Sequence, residues 1–238
     1  MRTILAALAV VIAGCSTIGA HDEAAFAATD FGAREPLRIC VLQDDGVSDE
    51  LSSRLLGQIT TELAPYGIDV VVPWSRPWRR EAFADQSLMV QLGKELLEPP
   101  CDRLLALIGR TAGDFLLGLL GFETLGAVDL ATHTRAFVAA RRASINQVFV
   151  SPSSVCAHEA YHLMGCPHNV SLSGCYTRIA SLKSVARENR ESGNDFFPGV
   201  DAGGSPIRTR SEANWLIQFA IWRYQERDES SERSCSEP

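Results

Sequence analysis

A membrane-spanning run is missing from this chain of 238 residues. Its one strongly apolar stretch, Ile4 to Ala13, is about half the ~20 residues that a spanning helix needs. Positive charge is short as well. Lys and Arg number 22 against 29 Asp and Glu, a net charge of −7, which argues against nucleic acid and anionic lipid surfaces as partners. No internal repeat is visible. Methionine is scarce: three in all, Met1, Met89 and Met164.

What the chain does have is concentrated at 158–168, which reads His-Glu-Ala-Tyr-His-Leu-Met-Gly-Cys-Pro-His. The string fits HExxHxxGxxH at every fixed position. On a helix His158 and His162 stand one turn apart on one face and supply two corners of a zinc tetrahedron. Glu159 sits about 100° round from His158, poorly placed as a ligand but well placed as general base on a water at the metal. His168 reaches the same point only if the helix stops. Gly165 suits a left-handed C-terminal cap, and Pro167 discourages further helix. Ser151-Pro152 reads as N-cap and first helical residue, giving a helix over Pro152–Met164.

This string resembles the metzincin branch of zinc peptidases. The resemblance implies that His158, His162 and His168 hold one catalytic Zn2+, with Glu159 as catalytic base. It also implies an α/β (α+β) zincin-like fold: a twisted mixed sheet with covering helices, an active-site helix and a C-terminal helix. Some part of 124–140 would then form an antiparallel edge strand above the cleft, able to pair with extended substrate. Metzincins carry a methionine turn below the metal, but no methionine follows His168 here. The nearest stretch is Cys175–Ser181, where Ile179 could offer an apolar floor. Tyr176 is, by the same likeness, a candidate oxyanion helper. Cys175 loosely resembles a cysteine of the archaemetzincin subgroup. That subgroup's later CxxC pair has no counterpart, because only Cys235 follows Cys175; one zinc is expected, without a second structural ion.

The N-terminus resembles a bacterial lipoprotein signal. Ile12-Ala13-Gly14-Cys15 is similar to a lipobox, implying a signal peptide over 1–14 and lipidation at Cys15. Ser16, a non-aspartate residue after Cys15, implies an outer-membrane lipoprotein facing the periplasm or exterior, held to the membrane by its lipid alone. Residues 15–35 read as lipidated cysteine and flexible tether, 36–228 as the catalytic domain and 229–238 as a polar tail. Six further cysteines, Cys40, Cys101, Cys156, Cys166, Cys175 and Cys235, suggest disulfides in an exported chain. Six allow fifteen pairings. Cys166 with Cys175 is the most local and would pin the loop carrying His168; the rival reading makes Cys166 a zinc ligand. Cys156 reads as a small buried residue.

Along the domain, Leu37–Leu42, Ile68–Pro73, Arg103–Ile108, Arg135–Ala140 and Gln147–Val150 read as strands. Ser48–Leu63, Gln86–Leu97, Ser181–Glu191 and Ser211–Arg227 read as helices. Ala112–Gly121 fits strand, loop or short helix. Trp74–Arg80 reads as a solvated rim loop and Asn194–Pro206 as a Gly/Pro/Asp loop; His133, in the 124–140 stretch, either faces the cleft or, the favoured reading, is an exposed strand-end residue. Trp215, Leu216, Phe219 and Trp222 cluster on the last helix and are expected to pack under the sheet, the alternative being an aromatic partner-binding face. The expected activity is zinc-dependent endopeptidase cleavage of protein or peptide substrates in the cell envelope. The alternatives are an inactive zinc-site lipoprotein that binds envelope proteins, and a zinc hydrolase of non-peptide envelope polymers.

Overall fold

The computed structural model describes residues 18–82, 85–111, 113–114, 124–141 and 150–234. Cys15 and the signal segment, most of 112–121, Gln147–Phe149 and Cys235 lie outside them.

The sheet begins with β1 (Glu35–Gln43) and β4 (Arg103–Ile108), whose side chains are almost wholly buried. Such near-continuous apolar runs belong to parallel strands covered on both faces. β2 (Ile68–Val71), β3 (Ser75–Pro77), β5 (Gly126–Val128) and β6 (Arg135–Ala139) complete a twisted mixed sheet in the order β2-β1-β4-β6-β5. β3 pairs with the second half of β1, where β2 has left it. All pairs are parallel except β5 with β6, so among the described residues the antiparallel strand is an edge. This is the place expected for some part of 124–140.

Alternation along the strands sends Ile39, Val41, Leu105, Leu107 and Val138 to one face. There they meet Leu55 and Ile59 of α2 (Asp49–Leu63) and Cys156 and Ala160 of α4 (Pro152–Leu163). α5 (Ser173–Glu191) adds Tyr176, Ile179 and Leu182 to the same core. Leu42, Ala106 and Phe137 point the other way, towards Leu88 and Leu92 of α3 (Asp85–Gly93). On that face, Ala213 of α6 (Arg210–Ser234) packs with Cys40 and Leu104. A disulfide joins Cys40 of β1 to Cys101 just before β4, with Cα atoms 5.6 Å apart.

Several expectations are corrected. Residues 18–35 are no loose tether: Ile18 is buried, and α1 (Glu23–Ala28) is capped by Asp22, whose Oδ1 accepts from Ala25 N at 2.9 Å. Ala20 bridges Ser171 beside the His168 loop. Trp74–Arg80 contains β3, and Arg80 is buried in an ion pair with Asp114 rather than solvated. α5 starts at Ser173, not Ser181, so Cys175–Ser181 is helix and not a turn. Asn194–Pro206 holds most of a hairpin, β7 (Gly199–Val200) with β8 (Pro206–Ile207). α6 turns Ala213, Ile217 and Ile221 inward and leaves Trp215, Phe219 and Trp222 exposed. Gly93 of α3 explains the choice, since a Cβ there would meet Ile221 Cδ1 at 2.5 Å; indoles on that face would not fit.

Candidate metal centre

α4 begins where Ser151 Oγ accepts from Ser154 N at 3.0 Å and ends in a Schellman motif. Gly165 N donates to His162 O at 2.8 Å and Cys166 N to Tyr161 O at 3.1 Å. This closure needs the left-handed φ of +69° at Gly165. A Cβ there would also lie 2.7 Å from Val200 Cγ2. The turn therefore needs glycine twice over, for conformation and for close approach of β7. Beyond it, the Cys166–Cys175 disulfide, with Cα atoms 5.0 Å apart, ties the loop to the first turn of α5. Cys166 is thereby a disulfide sulfur, not a thiolate.

His168 returns across this loop. Its Nε2 lies 3.0 Å from His158 Nε2, and His162 Nε2 lies 3.1 Å from the same atom. All three ligand atoms fall within 4.8 Å of one another. Three corners of a zinc tetrahedron with bonds of about 2.0–2.1 Å stand roughly 3.3 Å apart, so the spacing fits. The tautomers fit too. His162 Nδ1 is 2.7 Å from the carbonyl of Cys166, which can only accept; Nδ1 therefore carries the proton and Nε2 presents a lone pair. Burial, then the proximity of His162 and His168, push His158 down to about 4; it is a neutral imidazole at physiological pH. Burial likewise lowers His162. Three imidazole Nε2 atoms aimed at one point, two of them on rings that burial keeps neutral, are matched by a cation. His158 Nδ1 is buried without a partner among the described residues, so only His162 shows the carbonyl support usual for a metal-bound histidine.

Glu159 is 5% exposed, and burial pushes its carboxyl up to about 8. A dication beside it favours the charged form. It is roofed by β5: a Cβ at Gly126 would lie 2.8 Å from Glu159 Cγ and Oε1 and from Val155 Cγ1.

Tyr176 is placed elsewhere. Its ring is fully buried among Phe26, Phe31 and Tyr66, and its hydroxyl meets His21 Nδ1 at 2.6 Å and accepts from Asp22 N at 3.2 Å. Ile179 is also core. The open cleft beside the histidines, about 370 Å³, is walled by His133, His162, His168, Arg178, Val200 and the 201–204 turn. His133 is thus a cleft residue, not an exposed strand end. Asp129 builds the turn that carries it: its carboxylate accepts from the backbone N–H of Thr132, Thr134 and Arg135 and from Thr132 Oγ1. That network holds His133 at a φ of +51°, with Nδ1 2.8 Å from Val200 O. A positive φ is uncommon outside glycine, and histidine is among the side chains that adopt it most readily.

Arg103, buried in the sheet, braces the whole centre. It donates to Leu163 O at the end of α4, and to Phe197 O and Pro198 O ahead of β7. The sequence offers His133 as a possible cleft residue but does not single out Gly126, Arg178 or Arg103; the local signal for the turn that carries His133 is the Asp-x-x-Thr pattern of Asp129 and Thr132.

No family profile and no curated protein sequence matches the chain. Among solved structures it is similar to the crystal structure of archaemetzincin from Methanopyrus kandleri. The match has 16% sequence identity and a TM-score of 0.41, and it covers 64% of this chain and 96% of that one.

Proposed function

We propose that the chain is a zinc-dependent hydrolase of peptide bonds. The observation that carries this is the convergence of the three Nε2 atoms of His158, His162 and His168 beside the buried carboxyl of Glu159. Zinc, when held by these histidines, supplies Lewis-acid polarisation of a carbonyl and activation of water. Glu159 is the group that takes the proton of the attacking water and passes one to the leaving amine. Its burial raises its proton affinity, while a dication held beside it would favour the carboxylate that accepts the proton. Among the described residues β5 is the edge strand next to Glu159, so an extended peptide can add to it by backbone hydrogen bonds with its scissile bond over the base.

The same reading places the protein in a bacterial cell envelope, anchored through lipid at Cys15. Two disulfides, Cys40–Cys101 and Cys166–Cys175, support an oxidising compartment. The experiment is Glu159→Gln, assayed against a broad peptide library. The variant is expected to keep stoichiometric zinc and to lose hydrolysis. Full activity in it would sink the mechanism.

A further inference from the structure

Among the described residues, the cleft beside the histidines has an arginine that no carboxylate faces. Arg178 lies on α5, three residues past Cys175, so the disulfide to Cys166 sets it beside the loop of His168. Its Nη1 donates to the carbonyl of Gly204 at 3.1 Å, and among the described residues no carboxylate pairs with it. Arg38, Arg76, Arg190 and Arg210, by contrast, each face an acid. The seat is shaped for the guanidinium. Gly204 has a φ of +88°, and a Cβ there would lie 3.0 and 3.1 Å from Nη1 and Nη2; the planar group rests against the bare turn. Asp201, the acid in the same wall, is turned into its own loop, with Oδ1 accepting from Gly203 N and Ser205 N at 2.9 and 2.8 Å. Across the cleft the His133 ring is fixed to Val200 O. An arginine in the wall of an open cleft, with one bond to Gly204 O among the described residues, has the fork chemistry that carboxylates fit.

We propose that this cleft is a substrate subsite for a carboxylate, with Arg178 as its charge partner. The proposal rests on the hydrolase reading above and deepens it: the peptide preferred carries either an aspartate or glutamate side chain, or a free C-terminus, beside the scissile bond. The step required is recognition only, with no bond made or broken at Arg178.

The test uses the full chain, zinc-loaded, with Glu159→Gln to stop turnover, and calorimetric binding of matched peptides. One arm compares Glu-containing peptides with their Gln counterparts, C-termini blocked; the other compares free with amidated C-termini on neutral peptides. In one arm the acid is expected to bind about tenfold or more tightly than its neutral partner, as hydrogen bonds to a charged group allow. Arg178→Gln should erase that ratio, Arg178→Lys should keep part of it, and Arg178→Glu should turn it towards lysine peptides. Equal binding of acid and neutral peptides in both arms overturns the subsite, and so does a preference that survives Arg178→Gln. If the parent protein cleaves no peptide yet the acid preference is present and depends on Arg178, the hydrolase reading fails and the subsite stands. Cleavage by the parent without acid preference fails the subsite alone.

Discussion

Gly126 and Glu159 share a space that holds only one side chain: a Cβ on Gly126 would stand 2.8 Å from Glu159 Oε1. The edge strand thus sets where the proposed base points. Gly126→Ala should push the carboxylate aside by an ångström or so and reduce kcat about 100-fold, the cost of such a displacement. The three histidines lie outside that contact, so zinc content should be unchanged. Metal analysis alongside steady-state kinetics checks both parts.

The two disulfides should have separable effects. Cys166–Cys175 closes a short loop, with a sequence separation of 9, worth about 2–3 kcal/mol by chain entropy. That loop carries His168. Replacing both cysteines by serine should therefore weaken zinc binding by roughly 10–100-fold, as losing a group that orients a ligand does. Cys40–Cys101, with a separation of 61, is worth about 4 kcal/mol and lies on the other face of the sheet. Its removal should lower the melting temperature more, yet leave zinc affinity as it was. Chelator competition and thermal unfolding of the two double variants give the comparison.

Arg103 is fully buried and donates to Asp102 O, Leu163 O, Phe197 O and Pro198 O. Burial lowers its pKa to about 10, still well above neutrality, so it stays charged. Arg103→Met leaves buried carbonyls without donors and should cost at least about 3 kcal/mol. Arg103→Lys should recover little of this, because one ammonium cannot span four carbonyls held in a plane-shaped fork. Chemical denaturation of the two variants measures it.

Local signals were enough for much of this architecture. Apolar runs marked β1 and β4, Ser48 and Ser151 marked the starts of α2 and α4, and the histidine string is continuous in the chain. β3, β7 and β8 were not legible, because strands of two or three residues are specified by the partners they meet. The error at α5 came from expecting a turn at Cys175–Ser181; Cys175, Ile179, Leu182 and Ala186 already recur at helical spacing and are buried. In α6 two apolar stripes competed, and the bulk of Trp215, Phe219 and Trp222 drew the core expectation. Gly93 decides instead for Ile217 and Ile221. Gly126, His133 and Arg178 join the site only through the sheet and a disulfide, which no short motif records.

The central claim is that three imidazoles and no sulfur hold a single zinc. Zinc K-edge X-ray absorption on the purified full chain tests it most directly, with metal content measured on the same sample. The account predicts one zinc per chain in a shell of four light atoms at about 2.0–2.1 Å, with the multiple scattering of imidazole, lost when His162 is replaced by alanine. A sulfur shell at about 2.3 Å, or a chain that retains no stoichiometric metal with all three histidines intact, would contradict it.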